Sequence, residues 1–165
     1  MQTFLPYASF PESASCLDRQ RLGKQRLEAR QILECLLGLS HLRWSSHPAI
    51  QMWRGHEAAL ALYGTEICLQ WRKRGYRDQQ LSWFQSLAGH VIFPPWLGHQ
   101  PFHASHRSCL LAKNYSWYSQ WRWEELPTPK MGGRWPYVWP TAGSLYPCSA
   151  GTPSYQSGPR LSSHT

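Results

Sequence analysis

Between Leu17 and Leu37 the apolar residues recur with a helical period. Leu22, Ala29, Leu33 and Leu36 fall on one stripe of a 3.6-residue helix, and Arg21, Gln25 and Glu28 run along its flank at i, i+4 and i+7. Ser15 followed three residues later by Asp18 has the form of a capping box, which places the helix start near Cys16, and Gly38 supplies the stop. A second period through Trp53, His56, Leu60, Tyr63 and Ile67 predicts one long amphipathic helix, opening at Ser46-His47-Pro48 and closing in WRKRG at Gly75. Leu81, Phe84 and Leu87 predict a short third helix. A last amphipathic segment runs through Leu110, Leu111, Tyr115 and Tyr118, with Ser105 as its N-cap.

The segments between are punctuated rather than periodic. Met1–Phe10, interrupted by Pro6 and followed by Pro11, reads as an extended arm leading to the first helix, and FPPWLG forces a turn. After Trp123 the chain turns rich in Pro, Gly and Ser; the PYVWP run at Pro136–Pro140 is suited to dock as an aromatic strap, and a disordered tail is expected beyond Thr141. The fold class these patterns predict is all-α: a compact single domain over residues 1–140 with an extended N-terminal arm and an irregular C-terminal segment, and a tail over residues 141–165.

Charge narrows the partner. A net charge of +8 and a pI near 9.5, with 10 Trp and 8 Tyr to stack on bases or fill a core, favour nucleic acid over any other acidic partner. No run approaches the ~18 apolar residues of a spanning helix, so no membrane is expected, and MQTFLPYASFPES lacks the charged start and apolar stretch of a signal peptide. Cytoplasmic, nucleoid-associated residence as a monomer is the expectation. Cys16, Cys35, Cys68, Cys109 and Cys148 are odd in number and without a CxxC, which fits reduced thiols.

No Gly-rich phosphate loop, HExxH or GxSxG occurs, and acid–base or amine chemistry remains. The candidates are Glu28, Lys24, His47, His56, His103, His106, Lys113 and the chain's own amino group. Glu28 stands among Arg19, Arg21, Lys24, Arg26 and Arg30. A solvated basic face whose Glu pairs with an Arg would account for this, as would an acid held where a polyanion docks. Glycosidic cleavage at a nucleotide needs a carboxylate to stabilise an oxocarbenium-like centre and a nucleophile that is water or an amine. A basic flank beside it holds phosphates while a nucleotide is turned out of the stack. Arg19, Arg26, Arg30, His47, Arg54, His106, Arg107 and Lys113 are the candidate DNA contacts, whereas Arg72, Lys73 and Arg74 suit the dipole of a helix end. His103, His106 and His47 lack an acidic or Cys partner at metal-binding spacing, and neither metal nor cofactor is expected. Trp44, Trp53, Trp83 and Trp96 are pocket candidates that pattern alone does not separate from core.

The order Leu17-Asp18 through Glu28-Ala29, then Trp44-x-x-His47-Pro48 and a helix from Ala49, resembles the pyrimidine-dimer DNA glycosylase family, the phage endonuclease V type and its bacterial relatives, over roughly the first 75 residues. The resemblance implies a compact helical protein whose N-terminal arm lies near a catalytic Glu, falling on Glu28. It also implies a terminal amine that attacks the sugar C1′, forms a Schiff base and allows cleavage at the abasic site. Arg21 and Arg26 then become contacts to phosphate and sugar, and the substrate double-stranded DNA with a damaged or modified base. Leu27 stands where the family has Arg, and Ser46 where it has Asn. Gln2 is too large for ready removal of Met1, so the amine is expected to be that of Met1. Two functions stay open: a base-excision enzyme with or without lyase activity, and a non-catalytic DNA- or RNA-binding module on the same fold.

Overall fold

The computed structural model describes residues 1–40, 45–87 and 89–140. The expected tail over 141–165, Trp44 and Cys148 lie outside the described residues. Within them the chain is helical, with one isolated β-bridge between Met131 and Arg134.

The first helix, α1, spans Phe10–Cys16, where the sequence reads as the end of an arm. Pro11 marks a break by pattern, but it sits in the first turn, where its missing N–H leaves no bond unmade, and Ser9 caps the turn by accepting from Glu12 N. The long basic helix therefore starts later than expected. It is α2, Arg19–Leu36, capped by Asp18, which accepts from Arg21 N at 2.8 Å, while the Ser15 hydroxyl turns back to Glu12 O. Leu22, Ala29, Ile32 and Leu33 are buried on α2, so the predicted stripe holds, with Ile32 added to it and Leu36 half-buried against the same core.

The second period is split in two. Pro48–Gln51 forms α3, with His47 as its N-cap, and Glu57–Lys73 forms α4; between them Gly55 adopts φ 81°, a left-handed turn that ends any continuous helix. The period survived the break because Trp53, Leu60, Tyr63 and Ile67 face the same core from both pieces. Gly38 and Gly75 terminate α2 and α4 at φ 71° and 85°, as expected.

The helices α2 and α4 share the largest face, with α1 and α5 (Leu81–Ser86) against α4. Gly64 sets the approach of α5. A Cβ there would stand 2.3 Å from the buried Phe84 ring. Gly64→Ala is expected to cost about 1–3 kcal/mol by overpacking, read as a lowered melting temperature; melting at the wild-type temperature would show that Phe84 can yield.

The helix α6 runs Gln100–Lys113 with His99 as N-cap and Pro101 in its first turn, followed by α7, Tyr115–Tyr118. Ser105 thus lies inside α6 rather than at its start. Its hydroxyl donates to Phe102 O and accepts from Val138 N at 3.0 Å. That second bond holds the C-terminal segment along α6, joined by Thr128 N donating to Ser108 O. The aromatic strap docks as its composition suggested: Tyr137 meets the Phe4 and His106 rings, and Trp139 meets His47 edge-on.

Candidate active site

An isolated extended strand cannot satisfy its own peptide groups, and Gln2–Pro6 is buried. Side chains from three helices take the place of a neighbouring strand. From α2, Glu28 Oε2 accepts from Gln2 N at 3.3 Å; Gln25 donates to Gln2 O at 2.8 Å and accepts from Phe4 N at 2.9 Å. From α4, the Tyr63 hydroxyl meets Phe4 O at 3.0 Å. From α6, His106 Nδ1 accepts from Leu5 N, His103 Nδ1 donates to Leu5 O at 2.7 Å, and Arg107 donates to Pro6 O. Trp53, in the core, donates its indole N–H to Thr3 Oγ1.

This stitching delivers the chain's amino group to the acid. Met1 N lies 4.0 Å from Glu28 Oε1, and Lys24 Nζ approaches the same oxygen at 3.5 Å. The two cations differ in freedom. The Lys24 side chain is 66% exposed, whereas that of Met1 is 12% exposed and its backbone is pinned from residue 2 onward.

His106 and Arg107, candidate DNA contacts by sequence, are turned inward. His106 is fully buried against Phe102 and Tyr137, and Arg107 is held between Pro6 O and the Glu125 carboxylate. His103 accepts from Gly98 N at Nε2, which fixes the tautomer that donates to Leu5. Burial pushes His103 from the ordinary 6.5 down to about 4, with Arg107 and His99 adding to the fall, and pushes His106 well below its usual range. Protonation therefore favours the unfolded chain. Stability from these two is fully present above about pH 6.5 and falls as the pH drops from there toward 4. The expected result is a melting temperature that declines over that window, with the decline reduced in His103→Gln; a flat profile would place the ring in contact with water.

A cleft of about 230 Å³ opens beside Glu28, lined by Met1, Gln2, Arg21, Lys24, Lys113 and Trp135 among others. Arg21 is paired with Asp18 and directs a second N–H toward Lys113 O. Lys113 Nζ sits 3.2 Å above the centre of the Trp135 ring, a cation–π contact. Burial, followed by the charges of Arg21, Lys130 and Lys24, brings Lys113 down to about 8 against the opposing effect of Cys109. A second cleft, about 570 Å³, shares Met1, Trp135 and Tyr137 and continues past His47, Trp139, Lys130 and Arg134. Burial and the positive amino terminus lower the His47 pKa, with Glu28 opposing.

The remaining cations of α2 face elsewhere. Arg19, Arg26 and Arg30 lie about half a turn from Arg21, Lys24 and Glu28. Arg19 stacks over Tyr76, Arg26 over Trp71 and Arg30 over Trp83; Arg26 also pairs with Asp78 at 2.6 Å and Arg30 with Glu34 at 2.7 Å. Of the basic residues in α2, only Arg21 and Lys24 line the cleft. Arg54 is exposed and bonded to Gln51, and Arg74 donates to Leu17 O and Ser15 O, a structural role. Trp53 belongs to the core, with Trp83 and Trp96 at its edge. The walls of the clefts come instead from Tyr137 and Trp139 of the expected strap and from Trp135, Lys130 and Arg134, and these last three pattern did not single out. Among the described residues no group of three or more His, Cys, Asp or Glu is placed to hold a metal ion, and no helix is long and apolar enough to cross a membrane.

The arm and α2 thus bring the Met1 amine, the Glu28 carboxylate and a cleft with Arg21, Lys24 and Lys113 together. The family model described as pyrimidine dimer DNA glycosylase matches residues 1–83, and the chain belongs to that family. It is thus a DNA glycosylase, acting in base excision on damaged DNA. No curated protein and no solved structure matches the chain. Glu28, the arm and His47 fall inside the matched span, while Lys113 and the aromatic strap lie beyond it.

Proposed function

We propose that the chain releases a damaged or modified base from double-stranded DNA and cleaves the resulting abasic site, with the Met1 amine as nucleophile and Glu28 as the catalytic carboxylate. The observation that carries this reading is the 4.0 Å approach of Met1 N, at the end of a pinned arm, to Glu28 Oε1. An amine held by a fixed main chain loses little freedom on reaching a sugar carbon, which favours it over the ammonium on the long, exposed Lys24 side chain. In the proposed reaction the unprotonated amine attacks C1′, and the bond from C1′ to the base breaks with its electron pair on the base. Glu28 balances the positive charge that develops at C1′ and accepts the proton the amine loses. Opening of the sugar ring, with O4′ taking the proton that Glu28 received, gives a protonated imine; loss of a C2′ proton to the Glu28 carboxylate then expels the 3′ phosphate by β-elimination, and water hydrolyses the imine to release the amine.

Arg21, Lys24 and Lys113 supply positive charge around the cleft, and we expect them to contact phosphates. Binding is expected to weaken with salt, by a slope of about −0.9 for each phosphate neutralised on duplex DNA. The enzyme is proposed to act as a monomer at the nucleoid. Borohydride trapping on a duplex containing an abasic site tests the chemistry. A covalent adduct mapped to Met1 is the expected result. An adduct at Lys24 or Lys113 would move the nucleophile, base release without any adduct would leave water in that role, and binding with no base released from any lesion duplex would make the chain a binding module.

A further inference from the structure

Gln25 is fully buried one turn before Glu28, and it has a hydrogen-bonding pattern no other side chain at the site has. Its Nε2 donates to Gln2 O at 2.8 Å and to Glu28 Oε2 at 3.0 Å; its Oε1 accepts from Phe4 N at 2.9 Å and lies 2.7 Å from the Tyr63 hydroxyl, whose single hydrogen is shared between it and Phe4 O. A carboxamide offers two donor hydrogens and two acceptor lone pairs; both donors and one acceptor site are fully engaged, and the other shares the Tyr63 hydrogen. Its orientation is fixed by its partners. Phe4 N can only donate and Gln2 O can only accept, so turning the amide over would set N–H against N–H and oxygen against oxygen at once.

The two arm contacts lie on either side of Thr3, and the third partner is the carboxylate that faces Met1. An amide bonded to both ties the position of the arm to the direction of the Glu28 oxygens. With Nε2 and Gln2 N both donating to Oε2, Oε1 is the oxygen left facing Met1 N and Lys24 Nζ. From this geometry we infer that Gln25 is a positioning residue for the lyase reaction, which sets the amine and the carboxylate in register by bonding the arm and Glu28 through one amide. The inference rests on the amine-and-carboxylate reading above.

The test is single-turnover borohydride trapping across pH on an abasic-site duplex, with wild type, Gln25→Glu and Gln25→Leu compared at equal fractions of bound DNA. Gln25→Glu keeps the size of the side chain but replaces the donating NH₂ with an acceptor facing Gln2 O and Glu28. Its trapping rate is expected to fall about 10- to 100-fold, as a misplaced reacting group costs. Its pH profile is also expected to move to higher pH, because a second acid near the amine retains protons there. Gln25→Leu is expected to lose rate without that displacement, and DNA affinity is expected to hold within about twofold in both. A merely structural glutamine would lower the melting temperature while the folded variants, Gln25→Leu included, trap at the wild-type rate. Trapping at the wild-type rate, or a rate loss with the profile unmoved in both variants, overturns the inference. If neither variant folds, the side-chain amide resonances of Gln25 in the wild type decide it: they are expected to shift with the same midpoint as the trapping rate, and resonances indifferent to pH across that range overturn it. Failure of the amine reading looks different, because then wild type itself gives no adduct at Met1.

Discussion

Glu28→Gln is expected to lower single-turnover base release and adduct formation by about 10²–10⁴-fold, the range lost with a general acid–base group, while DNA affinity is kept or increased. The substitution is nearly isosteric. One oxygen of a glutamine at this position can still accept from Gln2 N and Gln25 Nε2, so the arm is expected to remain seated. What disappears is the negative charge opposite Met1 N and Lys24 Nζ, and removing an anion from a cationic cleft does not weaken a polyanion's hold. Filter binding and base release measured on the same lesion duplex check both halves. Base release at the wild-type rate would remove the carboxylate from the mechanism.

Acetylation of the chain's amino group is the second large effect. It leaves Glu28, Gln25 and the cleft intact but ties the lone pair of the amine that the arm delivers into an amide. The adduct is expected to fall below detection, at least a hundredfold below wild type on the loss of an activated nucleophile, with duplex binding unchanged. A persistent adduct would identify a lysine as the nucleophile, and its mapped position would say which. The mass of the intact chain belongs in this experiment. Were Met1 removed, Gln2 would be terminal and able to cyclise, which would abolish trapping without any reagent.

The place of Glu28 on the flank of α2 was legible in the sequence, and its charged neighbours were partly so. The apolar stripe of α2, the stops at Gly38 and Gly75, the His47-Pro48 turn and the aromatic strap all follow from local rules that the tertiary structure obeys. The break at Gly55 was hidden because residues on both sides of it face the same core, so hydrophobic period alone joined them. Arg19, Arg26 and Arg30 were grouped with Arg21 because composition counts charges, whereas the helix separates them by half a turn and gives each an aromatic ring. His103, His106 and Arg107 could not be read at all. Their partners are Leu5 and Pro6, about a hundred residues earlier, and a hydrogen bond to a main-chain atom leaves no trace in the sequence of the segment it holds. Gln25 was visible on the flank of the helix, but a buried amide between an arm and an acid has no spacing signature.

The arm's attachments also make it a ruler. Nearly all of them grip main-chain atoms of residues 2, 4, 5 and 6, while Thr3, Phe4 and Leu5 are anchored by their side chains as well, so under the proposed amine chemistry the number of residues between this clamp and Met1 sets where the amine lies. Each residue added or lost moves the terminus by about 3.3 Å along an extended segment, close to the whole 4.0 Å between Met1 N and Glu28. The carboxylate spans the last two nitrogens, with Oε1 toward Met1 and Oε2 toward Gln2, so its reach along the arm is one residue and no more.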